Sequence, residues 1–316
     1  MIIHKILKKT QNLIEQQALC APSRNSFLTS RRPDSLHLYD FYSYWRTFAG
    51  DFTTLPQYFK DHGYETKSIG KIFHHGMSSN FTDDFPLSWS SPAYHPSTEA
   101  FMNDPVCINS DGKRQRNLLC PVEIIFQPEK TLPDIQSMLT AKEYLETPKN
   151  KPFFLAVGFY KPHIPFKFPT KYLNSHPLHN FNETKMYRPY NVPDIAWNPF
   201  NDVRERDDVK ALNISSLFGL IDVNFAAKIR QHYYASVTYV DDLIGELFKS
   251  VDFNNTVIVL TSDHGWSLGE HGEWAKYSNY EAALKVPLII YDPEKPEMSM
   301  INIILKKPQS FFFPSK

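Results

Sequence analysis

The sequence predicts an α/β fold, and three observations carry that expectation. Helical and strand patterns alternate along the chain. The apolar runs PFFLAVGFY (152–160) and TVIVL (256–260) are strand-sized, far short of a membrane span. Polar residues gather just after the strands, where α/β sheets bind ligands. Taken in order, TTLPQYFKDHGY (53–64) reads as a short helix and TKSIGKIF (66–73) as a strand running into a loop. TLPDIQSMLTAKEYLE (131–146) is helical, with proline near its first turn. KPFFLAVGFY (151–160) is a buried strand that ends at KPHIPF. Asn224 reads as the cap of a long helix with Ile229, Tyr233, Val237, Val240, Ile244 and Leu247 on its apolar face. NTVIVLTSDHG (255–265) is a strand ending in polar residues, and VPLIIYDP (286–293) is another. Residues 84–130 and 162–222, rich in Pro, Tyr, His and Asn, read as long loops shaping a pocket. No internal repeat is visible.

Composition bounds the function. A chain of 316 residues, 42% apolar and 22% charged, is globular and can bury a substantial core. Its formal net charge of +0 argues against a general nucleic-acid or acidic-membrane binder, so an anionic substrate must meet a local cluster of cations. The opening MIIHKILKKTQNLIEQQ is basic and amphipathic without an apolar h-region, and no signal peptide is expected in the chain as written. Of three cysteines, Cys107 and Cys120 flank a polar loop that a disulfide could close, which leaves Cys20 unpaired; three reduced thiols are the alternative. Sequons at Asn80, Asn182, Asn213 and Asn254 point towards a secretory route.

Three segments deliver polar groups to strand ends: Lys71 and His74 in GKIFHHG, Lys161 and His163 in YKPHIPF, and Asp263 and His264 in TSDHG. SLGEHGEWAKYSN adds His271, Glu273 and Lys276 in a glycine-punctuated loop. Each alone reads as a solvated side chain, a cap or a turn, and His75 beside His74 reads as merely exposed. Together, several cations, a carboxylate and an unpaired cysteine with its own arginine suit a tetrahedral oxyanion. Asp263 and His264 can also offer ligands to a divalent metal, although two ligands do not define a site.

CAPSRNSFLTSRR, residues 20–32, resembles the sulfatase signature, C-x-P-S-R followed by Leu-Thr-Gly-x-Arg. The resemblance extends through RRPDSLHLYDFYSYWRTFAG, LPQYFKDHGYETKSIGKIFHHG, FFLAVGFYKPHIPF and TSDHGWSLGEHGEWAKYSN, from about residue 16 to about 292. It implies an alkaline-phosphatase-like sulfatase fold, with a mixed, mostly parallel sheet flanked by helices. The expected division is a divergent segment 1–15, a catalytic domain 16–292 and a divergent tail 293–316. The implied reaction is hydrolysis of a sulfuric ester, the 2-O-sulfate of iduronate in heparan and dermatan sulfate, in the lysosome. The sulfated glycosaminoglycan is the implied substrate, and formylglycine-generating enzyme the implied partner that oxidises Cys20 to formylglycine. By resemblance, Cys20, Asp263 and His264 lie at a calcium site. Arg24, Lys71, His74, His163 and Lys276 hold the sulfate and leaving oxygen, with His163 or Lys276 the proton donor. Trp266 and Tyr277 flank the sugar pocket, and Cys107 and Cys120 match a family disulfide.

The pattern is departed from in four places. No aspartate precedes Cys20, where the family's first strand ends in a calcium-binding pair; Asp83-Asp84, Asp207-Asp208 and Asp241-Asp242 read as poor substitutes. Ser30 stands at the signature's glycine. A signal peptide, the first strand and the smaller C-terminal subdomain are expected to be missing, as in a truncated product. The alternative expectation is therefore an inactive relative that binds sulfated glycans. A phosphate-ester hydrolase is disfavoured by Cys20, since those enzymes place Ser or Thr as nucleophile.

Overall fold

A computed structural model describes residues 10–15, 17–108, 111–181 and 186–295. Residues 1–9, the tail from 296 and the sequon at Asn182 lie outside the described residues. The principal elements are β1 (Thr10–Ile14), α1 (Cys20–Thr29), α2 (Leu55–Asp61), β2 (Glu65–Gly70), β3 (Leu119–Val122) and α3 (Pro133–Glu146). They continue with β4 (Phe153–Gly158), β5 (Phe166–Pro169), α4 (Val223–Phe248), β6 (Ile258–Thr261), β7 (Ser267–Leu268), β8 (Trp274–Ala275) and β9 (Lys285–Tyr291).

The expected mixture of parallel strands and flanking helices is present. β2 runs parallel to β4, from Glu65 opposite Phe153 to Gly70 opposite Gly158. β3 runs parallel to β5, and β9 is paired antiparallel on both sides, with β1 and β6. Among the described residues β4 has a partner strand on one side only, and so has β6. Val257 and Val259 beside that edge are correspondingly exposed. Strand β6 is shorter than its sequence pattern, because Asn254 turns back onto the Asp252 carboxylate before the strand begins.

Helix α4 is 26 residues long and packs across α3, β3 and β5. Its cap is Asp222 rather than Asn224: the Asp222 carboxylate accepts from the backbone N–H groups of Asn224 (2.9 Å) and Phe225 (3.1 Å). Aspartate outcompetes the next candidate here because its ionised oxygen also complements the helix dipole. Ile229 and Leu247 of the expected apolar face are buried, with Tyr239 and Leu243 between them. They meet Phe166 and Phe168, both wholly buried and each contributing about 2–3 kcal/mol of transfer free energy.

Two glycines let the site form. Gly70 ends β2 at φ +73, and a Cβ there would sit 2.2 Å from the Gly158 carbonyl oxygen. A Cβ on Gly158 would in turn sit 2.0 Å from the Lys71 carbonyl oxygen. Only this close passage of backbones allows Lys71 N–H to reach the Gly158 carbonyl (3.0 Å) and fixes the lysine at the strand end.

Candidate active site

Cys20 is the first residue of α1 and is almost wholly buried. Three groups from distant segments converge on its Sγ: His264 Nε2 at 3.3 Å, Lys276 Nζ at 3.4 Å and Lys71 Nζ at 3.6 Å. His264 Nδ1 donates to the Gly265 carbonyl at 2.7 Å, and with Asp263 and Cys20 raising its imidazole above the ordinary value, Nε2 can donate to the Cys20 sulfur. Burial alone would push the thiol up; Lys71, the His264 hydrogen bond and Lys276 outweigh it and bring it down to about 5. The N-terminus of α1 acts in the same direction. Cys20 is thus a thiolate at neutral pH, and an unpaired one.

Arg24, one turn along α1, ties the site to two loops. Its Nε donates to Asp263 Oδ2 at 3.0 Å, and its Nη1 donates to the carbonyls of Lys71 and of Ile72, the latter at 2.9 Å. Against burial, Arg24, His264, Lys71 and Lys276 hold the Asp263 carboxyl far below the usual range. Burial presses the Lys71 ammonium below its ordinary value. Lys276 stands above its own, because Cys20 beside it outweighs burial. His74 meets Phe41 at a tilt with ring centroids 4.6 Å apart; burial and then Lys71, Arg24 and Lys276 bring it down to about 3. Burial, Lys71, Lys276 and Lys161 likewise keep His163 neutral, with its Nδ1 on the Ile164 carbonyl at 2.7 Å.

The sequence-expected Cys20, Arg24, Lys71, Asp263, His264 and Lys276 are joined by direct contacts, while His74 and His163 feel the same cations. Tyr277 lies beside Lys276, half-exposed, with the ammonium 5.5 Å from its ring. Trp266 stacks on Tyr233 and meets Phe166 edge-on. Lys161 is structural: its Nζ donates to the carbonyls of His163 and Pro165. Cys107 and Cys120 form a disulfide. Asn80, Asn213 and Asn254 are exposed.

Three participants, Glu15, Phe41 and Asp202, carried no sequence signal, and Ser23 stood in the signature without a role of its own. Ser23 donates to the Asp263 carbonyl and to Glu15 Oε2 (3.1 Å). Glu15, just past β1, is raised to about 7, mainly by burial and further by Asp263. Phe41 underlies His74, and the buried Asp202 carboxyl faces Lys276 and Tyr277. Calcium takes six to eight oxygens. The ligand atoms of Cys20, Asp263 and His264 lie within 4.8 Å of one another, but they are a thiol, one carboxylate and an imidazole. That set is too soft and too small for calcium as it stands. Two of the three acidic pairs are engaged elsewhere: Asp84 by Arg46 and Tyr44, Asp83 by His95, and Asp208 by the backbone of β3.

The sulfatase profile matches residues 9–314, and the chain belongs to the sulfatase family. It is 55% identical to iduronate 2-sulfatase of Homo sapiens over 290 residues, covering 90% of this chain and 53% of that protein. It is 30% identical to a sulfatase of Formosa agariphila, covering 90% of this chain and 57% of the relative. The chain spans about half the length of the curated relatives it matches. The fold is shared with a solved protein in complex with its substrate D-glucosamine-2-N,6-O-disulfate (TM-score 0.61, 21% identity, 93% of this chain and 66% of that one). It is shared equally with a phosphonate monoester hydrolase of Agrobacterium radiobacter (TM-score 0.66, 17% identity, 93% and 62%).

Proposed function

We propose that the chain is the catalytic part of a sulfuric ester hydrolase that removes the 2-O-sulfate of iduronate in heparan and dermatan sulfate. The observation that carries this reading is the convergence of His264, Lys276 and Lys71 on the Cys20 sulfur. The 55% identity to human iduronate 2-sulfatase supports the substrate. Formylglycine at position 20, made by formylglycine-generating enzyme and hydrated to a gem-diol, would supply two hydroxyls on one carbon: one would attack sulfur and displace the sugar alcohol, and the other would lose its proton and re-form the aldehyde as sulfate leaves. Lys71 and Arg24 would face the sulfuryl oxygens, whose negative charge persists throughout, so fixed cations act by preorganisation. Lys276 is the better proton donor to the departing sugar oxygen: it touches position 20 and keeps its proton, whereas His163 is held neutral. His264 Nε2 is placed to take the proton from the second hydroxyl. Tyr277 and Trp266 would flank the sugar. The disulfide and the exposed sequons support a route through the secretory pathway to the lysosome.

No step in this account passes through calcium, because the residues present do not fit it. That mismatch favours a second reading, a glycan-binding relative without turnover. The test is sulfate release from a 2-O-sulfated iduronate disaccharide by the chain co-expressed with the modifying enzyme, alongside its Lys276→Met variant. Release that falls about a hundredfold or more in the variant supports the hydrolase, in line with the loss of an acid catalyst. Disaccharide binding without release by either form selects the second reading.

A further inference from the structure

We propose that His75, Asp83 and His95 form a second metal site, suited to a borderline divalent cation such as zinc and separate from the Cys20 cluster. His75 Nδ1 lies 3.3 Å from Asp83 Oδ1, and His95 Nε2 lies 2.6 Å from Asp83 Oδ2. The two imidazoles lie at a tilt to each other with centroids 4.6 Å apart, and one ligand atom from each of the three residues lies within 4.8 Å of the others. Tetrahedral zinc with ligands about 2.0–2.1 Å away sets them about 3.3 Å apart, so a modest closure of these side chains suffices. Two imidazoles and a carboxylate are a donor set that zinc takes readily, and one that calcium and magnesium do not prefer.

The surroundings hold the three side chains in place. Asp83 is wholly buried, its Oδ1 accepts from Ser79 Oγ (3.1 Å), and its carbonyl accepts from Trp89 Nε1 (2.7 Å). The backbone presenting it is unusual: Asn80, Phe81, Asp83 and Asp84 all have φ between 52° and 67°, without a glycine among them. Left-handed non-glycine residues cost about 1–3 kcal/mol each and persist where the surroundings impose them, often at functional sites. On the far side of His95, Nδ1 has no hydrogen-bond partner and points to Glu99 Oε2, 3.6 Å away. Glu99 is fixed by the Tyr160 hydroxyl at 2.6 Å. A carboxylate behind the non-ligating nitrogen is how metal-bound imidazoles are usually oriented. His75 is half-exposed, which leaves one face of the site open for water or a substrate oxygen as fourth ligand. His74, of the active site, is its immediate neighbour in the chain.

The test is calorimetric titration of the full chain with zinc alone, in a Cys20→Ala background that removes the other site's thiol. One equivalent of zinc is expected, and adding His75→Ala should weaken it by more than about tenfold to a hundredfold, the loss that removing a residue merely supporting a ligand brings. The metal-free unfolding temperature should stay the same, because His75 is half-exposed. Cobalt in place of zinc should give a tetrahedral absorption band that His75→Ala abolishes. Equal zinc binding with and without His75, or no binding at all, would overturn the assignment.

Discussion

Removal of the Lys276 ammonium should raise the pH at which Cys20 ionises by a measurable amount. At 3.4 Å from Sγ, the ammonium attracts a thiolate by about 5 kcal/mol at an effective dielectric constant of about 20. Part of that is recovered by rearrangement and by Lys71, which remains 3.6 Å away. An opposite charge at this range commonly moves a side chain by about one to three pH units. In Lys276→Met, which keeps the stem's volume, the thiol should therefore titrate between about 6 and 8 instead of about 5. The assay is ultraviolet thiolate absorbance against pH, on chain produced without the modifying enzyme and with Cys20→Ala as the blank. The sign extends to stability. A folded thiol that ionises below its unfolded value contributes stability above about pH 8.5, lost progressively as pH falls towards 5. An unmodified chain whose Cys20 titrates as an ordinary thiol, or a Lys276→Met curve superimposed on the parent's, would refute the electrostatic argument.

Other consequences are equally direct. Glu15 has its folded value raised to about 7, so its contribution is intact below its unfolded value and is lost as pH rises through 7. Glu15→Gln should accordingly stabilise the fold more at pH 8 than at pH 5 in thermal melts; an equal effect at both would be wrong for this account. Ser30 caps α1 at φ 55 and ψ 32, where an L side chain is strained by about 1–2 kcal/mol. Glycine relieves that but loses more chain entropy, so Ser30→Gly should gain roughly 0.5–1 kcal/mol in urea unfolding. Replacing both Cys107 and Cys120 by alanine opens a loop of 13 residues' separation and should lower stability by about 3 kcal/mol. Arg24→Ala takes the nearest cation from Asp263, leaving it to His264, Lys71 and Lys276, and should destabilise by about 1–3 kcal/mol; a neutral result in denaturant titration would mean the clamp does not hold the fold.

What the sequence made legible follows from how local the signal was. Cys20, Arg24, Lys71, Asp263, His264 and Lys276 were readable because they sit in short motifs at the ends of apolar runs. The long helix was readable from its periodicity, although the cap fell to Asp222, two residues before the expected Asn224. Glu15 and the role of Ser23 were not readable, because both come from an approach to Asp263 across some 240 residues of chain. Ser30 looked like a defect in a signature; the backbone shows why glycine suits it, a left-handed helix end. His75 looked like an idle neighbour of His74, since the loop that brings Asp83 beside it has no hydrophobic period to announce it. The edges of β4 and β6 could be inferred only as an incomplete sheet, because strand pairing is set by the whole chain and not by either strand.

The central claim is that position 20 is the nucleophile's place, and peptide mass spectrometry on the fragment containing it tests this most directly. The chain would be secreted together with formylglycine-generating enzyme, and the fragment analysed before and after exposure to a 2-O-sulfated iduronate substrate. The account predicts the aldehyde in place of the thiol, with Ser30 tolerated. A thiol that persists in the presence of the modifying enzyme would contradict it.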